Sequence, residues 1–263
     1  MKEKMKKICD AFHKYNSENM AELVFGLSKD ECYDALIVAP AYTPYKLKMD
    51  QYCKVTTLKE GAYIGGYLVE KGNHKIAWIK TASSASNLID HLCVCAELSF
   101  KKMIFVGAVG ALVPEFKLGD ICTPRYSISG VLANTYLKDS IYDYVPFERI
   151  EPDTNYIDKV IEKLSEDMFT LKKASVYCTD SVALEYYHLD EIKSFGTELI
   201  EMETSSFYLM ADLLEIPSIA LLVVSDNSAT GVALVGRNEE EKIAYDEGRK
   251  KILPEMLLKV VGY

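Results

Sequence analysis

No stretch of this chain approaches the roughly 18 consecutive apolar residues that a membrane-spanning helix requires, although hydrophobic residues fill 49% of its 263 positions. The apolar residues are instead spread over many short segments, as in a soluble globular protein with 26% charged residues. The basic opening, MKEKMKKICDAFHKYNSENM, lacks an apolar h-region. It reads as an amphipathic helix laid on the body rather than a secretory signal, and a cytoplasmic location is the expectation. Internal repeats and low-complexity segments are lacking, and so is any disulfide or zinc spacing: the seven cysteines are odd in number and scattered through apolar segments such as Cys93-Val94-Cys95. They are expected to be reduced core thiols. His13, His74, His91 and His188 follow no ligand spacing, so no metal and no organic cofactor is expected. Positive charge is also short. A net charge of −9 argues against DNA or RNA as partner and leaves open a small anion in a local basic pocket.

What is present alternates. Ala35 to Ala39 (ALIVA) reads as a short buried strand, and Ala62 to Val69 with Lys75 to Lys80 as a hairpin turning at Lys71-Gly72-Asn73. Ser86 to Ser99 is helix-like, with Leu88, Leu92, Cys95 and Leu98 on one stripe. A strand running into glycines (MIFVGAVGAL) and a strand Asp120 to Tyr126 follow, then an amphipathic helix Tyr156 to Met168. Further on come strand Lys173 to Cys178, a helix around Leu189 to Phe195, strand Glu198 to Met202, helix Thr204 to Leu214, strand Ser218 to Ser225 and a final helix Glu239 to Val261. This order predicts an α/β sandwich. The least ordered-looking stretch is Asn134 to Asp153, rich in Tyr and Asp.

The most informative segment is Leu199 to Asn227, LIEMETSSFYLMADLLEIPSIALLVVSDN. It sets Glu201 and Glu203 at the end of one strand and Asp226 at the end of another, whose continuous aliphatic run predicts burial on both faces. In open α/β sheets, ligands gather at the carboxyl ends of strands. The bland alternative is that Glu203 and Asp226 only cap the elements that follow.

EMETSSFY followed by VVSDN resembles the nucleoside phosphorylase and nucleosidase superfamily. Three further segments carry the resemblance in the same order: LIVAPAYTPYKL (Leu36 to Leu47), FVGAVGALVPEFKLGDICTPRY (Phe105 to Tyr126) and VYCTDSV (Val176 to Val182). The resemblance implies a three-layer α/β sandwich with a mixed, twisted central sheet. It implies one domain over residues 1–263, with residues 1–30 as a helical extension, and a homo-oligomer of open number.

It also implies roles, residue by residue. Glu201, Met202 and Glu203 would bind the sugar, Glu203 accepting hydrogen bonds from the ribose hydroxyls and the Met202 side chain packing against the ring. Asp226 would protonate purine N7 as the base leaves, which calls for a carboxyl that holds its proton near neutral pH. Asp226 is what points to a purine. Arg237 would assist it, the alternative being a solvated charge at a helix start. Tyr177, Cys178 and Thr179 would meet the base, with Tyr177 stacking on it or else packing on the sheet. Asp180 reads as a turn residue.

The phosphate motif departs from the family pattern: the arginines and serine expected near Pro40 to Lys46 and Phe105 to Gly110 are missing. Phosphate would then rest on the backbone at Gly107 and Ala108, on Thr43, and on Lys46 or Lys48, a point charge in place of a bidentate fork. Three readings follow, and the first, a nucleoside phosphorylase, is the expectation, with the other two as alternatives. A phosphorylase uses phosphate as co-substrate in nucleoside salvage; a hydrolytic nucleosidase needs none, although AYTPYKLK offers no glutamate to hold its water; a non-catalytic binder keeps only the sugar and base contacts.

Overall fold

The computed structural model describes residues 1–17 and 19–263. Its strands are β1 (Cys32–Tyr33), β2 (Ala35–Pro40), β3 (Lys54–Glu60), β4 (Gly65–Lys71), β5 (His74–Thr81), β6 (Ser99–Phe100), β7 (Met103–Ala111), β8 (Ile121–Ser129), β9 (Glu148–Ile150), β10 (Lys172–Cys178), β11 (Leu199–Glu201) and β12 (Ser218–Asn227). The helices are α1 (Glu3–His13), α2 (Met20–Phe25), α3 (Ala85–Cys95), α4 (Thr154–Glu166), α5 (Val182–Glu185), α6 (Leu189–Ser194), α7 (Thr204–Leu214), α8 (Glu239–Glu247) and α9 (Leu253–Gly262).

One mixed sheet of ten strands runs in the order β11-β10-β8-β12-β7-β2-β5-β4-β3, with β9 beside β8. β11 also pairs antiparallel with β7, so this half of the sheet curls closed on itself. Two groups of helices pack against the sheet, α3 with α7 and α4 with α9, giving the expected layers. β12 lies between β7 and β8, and every residue of it is buried. That is why its sequence is continuously aliphatic. The carboxyl ends of β7, β11 and β12 converge, and residues from all three ends share one cleft.

Most expected elements are found, with displaced ends. The strand after Gly72 and the helix Thr204–Leu214 stand where the pattern puts them. α3 stops at Cys95 because Ser99–Phe100 pairs in parallel with β1. α4 ends by Glu166, and Met168 takes a left-handed turn at φ 64°. The final helix is interrupted by a π-helical turn, Gly248–Ile252. There Gly248 packs so closely on Gly119 that a Cβ would stand 2.1 Å from the Gly119 carbonyl oxygen. The stretch expected to be loose holds a 3-10 turn, Ala133–Leu137, and β9. Asn134 within it is buried, donating to Ser129 and Ser205 and accepting from Ser206. All seven cysteines are free as expected, but Cys32 is exposed and Cys53 and Cys93 are only partly buried, a correction to their reading as core thiols. Among the described residues no helix is long and apolar enough to cross a membrane.

Candidate active site

Strand β11 ends at Glu201, so Met202 and Glu203 lie beyond it, with Glu203 at the N-cap of α7. The first turn of α7 exposes backbone N–H groups that need acceptors. Glu201 supplies one carboxylate for the turn: it accepts from the backbone N–H of Glu203 (2.7 Å) and of Thr204 (3.0 Å) and from the Thr204 hydroxyl (2.7 Å). The Cys178 thiol donates to it as well, at 2.8 Å. Glu201 is therefore occupied within the fold. Glu203 is 5% exposed, and its Oε1 is buried with no hydrogen-bond partner. Burial first, then the charge of Glu201, push its carboxyl well above the usual carboxylate range. Two acids a residue apart thus have different situations, one satisfied and one open.

Asp226 sits at a bulge of β12 where the register with β7 slips between Val224 and Asp226. The Ser225 hydroxyl donates to its Oδ1 at 2.6 Å. Its Oδ2 lies over Gly110, where a Cβ would stand only 2.9 Å away, so the glycine makes room for the carboxylate. Burial raises the Asp226 carboxyl, while the Ser225 hydroxyl and the Arg237 charge pull it back. Arg237 reaches this strand end through its backbone: Nε donates to the Ser225 carbonyl at 2.7 Å, and the guanidinium lies 4.5 Å from the centre of the Tyr245 ring. It is neither on the Asp226 carboxylate nor a free charge at the helix start. Tyr245 also meets the Tyr42 hydroxyl at 2.6 Å, tying the α8 end to the β2 loop.

The cleft has a volume of about 230 Å³. Its wall is made by Pro40, Ala41 and Tyr42, Ser83, Gly107 to Gly110, Val182 and Glu185, Ile200 to Glu203, Ser225, Asp226 and Leu234. Of the residues singled out in the sequence, Glu201, Met202, Glu203, Asp226, Gly107 and Ala108 meet here. Tyr177 and Thr179 instead line an adjoining cavity of about 350 Å³ with Asp180, where Tyr177 packs 5.5 Å from Phe195 between ring centres. Cys178 is wholly buried behind Glu201 and faces neither space. Thr43, Lys46 and Lys48 also stand off the cleft wall. The Thr43 hydroxyl accepts from the Lys46 N–H in a 3-10 turn, the Lys46 ammonium donates to the Ala41 carbonyl at the rim (2.9 Å), and Lys48 is an exposed left-handed residue.

Sequence reasoning passed over Glu185, Ser83, Tyr42 and Leu234. Glu185, on α5, lines both cavities and is pushed up to about 7 by burial and by the charge of Asp226. No spacing in the sequence links it to Asp226; only the fold brings the two to one wall. The cleft wall therefore carries Glu203 with an unpartnered Oε1 together with the electrostatically linked carboxyls of Glu185 and Asp226. Among the described residues no group of three His, Cys, Asp or Glu forms a metal-binding cluster.

Comparison with known proteins agrees with this architecture. The phosphorylase superfamily matches residues 50–252, and the chain belongs to that family. It is similar to the DeoD-type purine nucleoside phosphorylase of Caldanaerobacter subterraneus subsp. tengcongensis, 28% identical over 151 residues, which are 56% of this chain and 61% of that protein. The DeoD-type enzyme of Geobacillus stearothermophilus is 27% identical over 149 residues, covering 55% and 59% of the two chains. The chain thus spans about three fifths of the length of these curated relatives. The Campylobacter jejuni 5'-methylthioadenosine/S-adenosyl homocysteine nucleosidase superposes with a TM-score of 0.67 at 18% identity, over 86% of this chain and 97% of that one. The last likeness is one of fold.

Proposed function

We propose that this protein cleaves the N-glycosidic bond of a purine nucleoside and that water takes the sugar. The observation that carries the reading is the presence, in one cleft, of Glu203, whose Oε1 has no partner, and of Asp226 at the end of β12. Breaking the bond builds positive charge on the sugar and negative charge on the base, so a catalyst needs acceptors at one end and a proton-bearing or hydrogen-bonding group at the other. Glu203 takes the ribose hydroxyls, with Met202 against the ring. Asp226 faces the departing base.

Water is favoured as nucleophile because the cleft wall carries four carboxyl side chains, Glu185, Glu201, Glu203 and Asp226, whereas Lys46 holds the Ala41 carbonyl and Lys48 points to solvent. Among the described residues that wall carries no lysine or arginine to balance a phosphate dianion. Phosphorolysis is the second reading. The backbone of Gly107 and Ala108 on the cleft wall favours it, as do the names of the curated relatives. The test is product analysis with adenosine, inosine and methylthioadenosine, with and without phosphate. Free sugar at a rate independent of phosphate is expected. Sugar 1-phosphate, formed only with phosphate present, selects the second reading, and binding without turnover rejects both.

A further inference from the structure

Glu185 is the buried carboxyl that this scheme leaves unused. α5 places it on the wall shared by the cleft and the adjoining cavity, and it is 9% exposed. Among the described residues nothing hydrogen-bonds to its carboxyl, so its setting is burial and the charge of Asp226 alone. Other ionisable groups face it from each side. β12 presents Asp226, with Arg237 behind it, and the β11–α7 corner presents Glu201 and Glu203. On the far side stand Asp180 and, from the α6 end, His188 and Glu191. Tyr186 is its neighbour in sequence and is pushed up by burial first and then by the charges of Asp226 and Glu185.

Two carboxyls that line one partly dry cleft and feel each other's charge do not ionise together. Asp226 has two stabilisers of its charge, the Ser225 hydroxyl and Arg237, and Glu185 has none. Asp226 therefore ionises first, and the proton stays on Glu185. We propose that Glu185 is a further catalytic residue, the donor of the proton taken up by the leaving base, with Asp226 as the charged partner that orients that base. The inference rests on the reading of the cleft as an N-glycosidase site. In the step, the bond from C1′ to the base nitrogen breaks with its electron pair on the base. The Glu185 proton passes to a ring nitrogen, and the water oxygen bonds to C1′. The proton that water releases returns through solvent to the Glu185 carboxylate, leaving free sugar and neutral base.

The experiment compares the wild type with Glu185→Gln on a purine nucleoside and on 4-nitrophenyl riboside, whose phenolate departs without a proton. Removing a general acid lowers kcat on the purine nucleoside by on the order of 10²-fold and on the nitrophenyl substrate by less than about threefold. The wild-type rate on the nucleoside falls as pH rises past about 7, and that limb is absent from the variant. Equal losses on the two substrates, or a limb that survives in Glu185→Gln, overturn the assignment while the nucleosidase reading stands. A wild type inert toward both substrates overturns both. A second measurement needs no turnover: carboxyl 13C NMR of the ligand-free protein, with the Glu185 signal identified by its loss in Glu185→Gln. It is expected to titrate near 7 in the wild type and at lower pH in Asp226→Asn. The same midpoint in both proteins refutes the pairing.

Discussion

Glu201 and Glu203 are separated by one residue, yet Glu201→Gln and Glu203→Gln should have opposite consequences. Glutamine at the first position keeps one acceptor oxygen and sets an amide NH₂ where the other stood. The Thr204 hydroxyl and the Cys178 thiol can turn away from it, but the backbone N–H groups of Glu203 and Thr204 cannot. One buried N–H losing its acceptor costs about 1–3 kcal/mol. Loss of negative charge at the start of α7 costs about 0.3–1 kcal/mol more. A chain of 263 residues unfolds with an entropy of about 0.55 kcal/mol/K, so a loss of about 2.5 kcal/mol lowers Tm by about 4–5 °C. Glu203 is different. Its folded carboxyl is raised, so the folded state holds that proton more tightly than the unfolded chain does. Its contribution to stability is therefore lost as pH rises from the ordinary carboxyl range through the folded value. Glutamine has no such proton to lose, and Glu203→Gln should melt at or above the wild-type Tm at pH 8. Its activity should nevertheless fall by on the order of 10², because the amide NH₂ cannot accept from a sugar hydroxyl as the carboxyl oxygen does, and a buried donor left without an acceptor costs about 1–3 kcal/mol. Calorimetric melts at pH 5 and pH 8 with a cleavage assay decide the matter. A Glu203→Gln protein less stable than Glu201→Gln at pH 8 would show that the open acid is the cap and the reasoning is inverted.

Asp226→Asn should lower kcat by on the order of 10² with little change in nucleoside affinity, and wild-type turnover would return Asp226 to a capping role. Gly110→Ala should place a methyl 2.9 Å from Asp226 Oδ2 and 3.2 Å from Ile200 Cγ2. Overpacking of that kind costs about 1–3 kcal/mol, and it should reduce activity more than a control alanine at Gly262, which has open space around it and no positive φ. Lys46→Ala and Lys48→Ala should leave cleavage in phosphate-free buffer within about twofold, since neither side chain lines the cleft; a phosphate-dependent loss in either favours phosphorolysis. Glu185→Gln should gain stability over the wild type as pH rises from about 4.5 to about 7, because over that window the unfolded chain's carboxyl ionises while the folded one keeps its proton, which lowers wild-type stability. After allowance for screening by solvent at the cleft mouth, the gain is on the order of 1–2 kcal/mol by chemical denaturation.

How much of this was legible in the sequence depends on the range of the interaction that decides each feature. β12 and α7 could be read because burial on both faces and a local change of period are written into consecutive residues. β3 could not. KVTTLKE is an edge strand with exposed and half-exposed positions, and no buried face imposes alternation on it. The π turn in the last helix was hidden for a different reason: it answers to Gly119, distant in the chain, pressing on Gly248. The site divides along the same line. Glu203 and Asp226 follow strands whose ends are readable, and their convergence follows from the parallel pairing of β12 with β7 and the return of β11 onto the same strand. The sequence puts Lys46 close to the cleft, but the direction of its side chain is set by a 3-10 turn that aims the ammonium at the Ala41 carbonyl. Nearness along the chain is thus a poor guide to which charge faces a ligand. Glu185 is the converse case. It belongs to a four-residue helix with no periodic signal, and its chemistry comes from burial and from the charge of Asp226 on another element. A carboxyl made reactive by a partner on another element can be found only after the sheet has brought the two together.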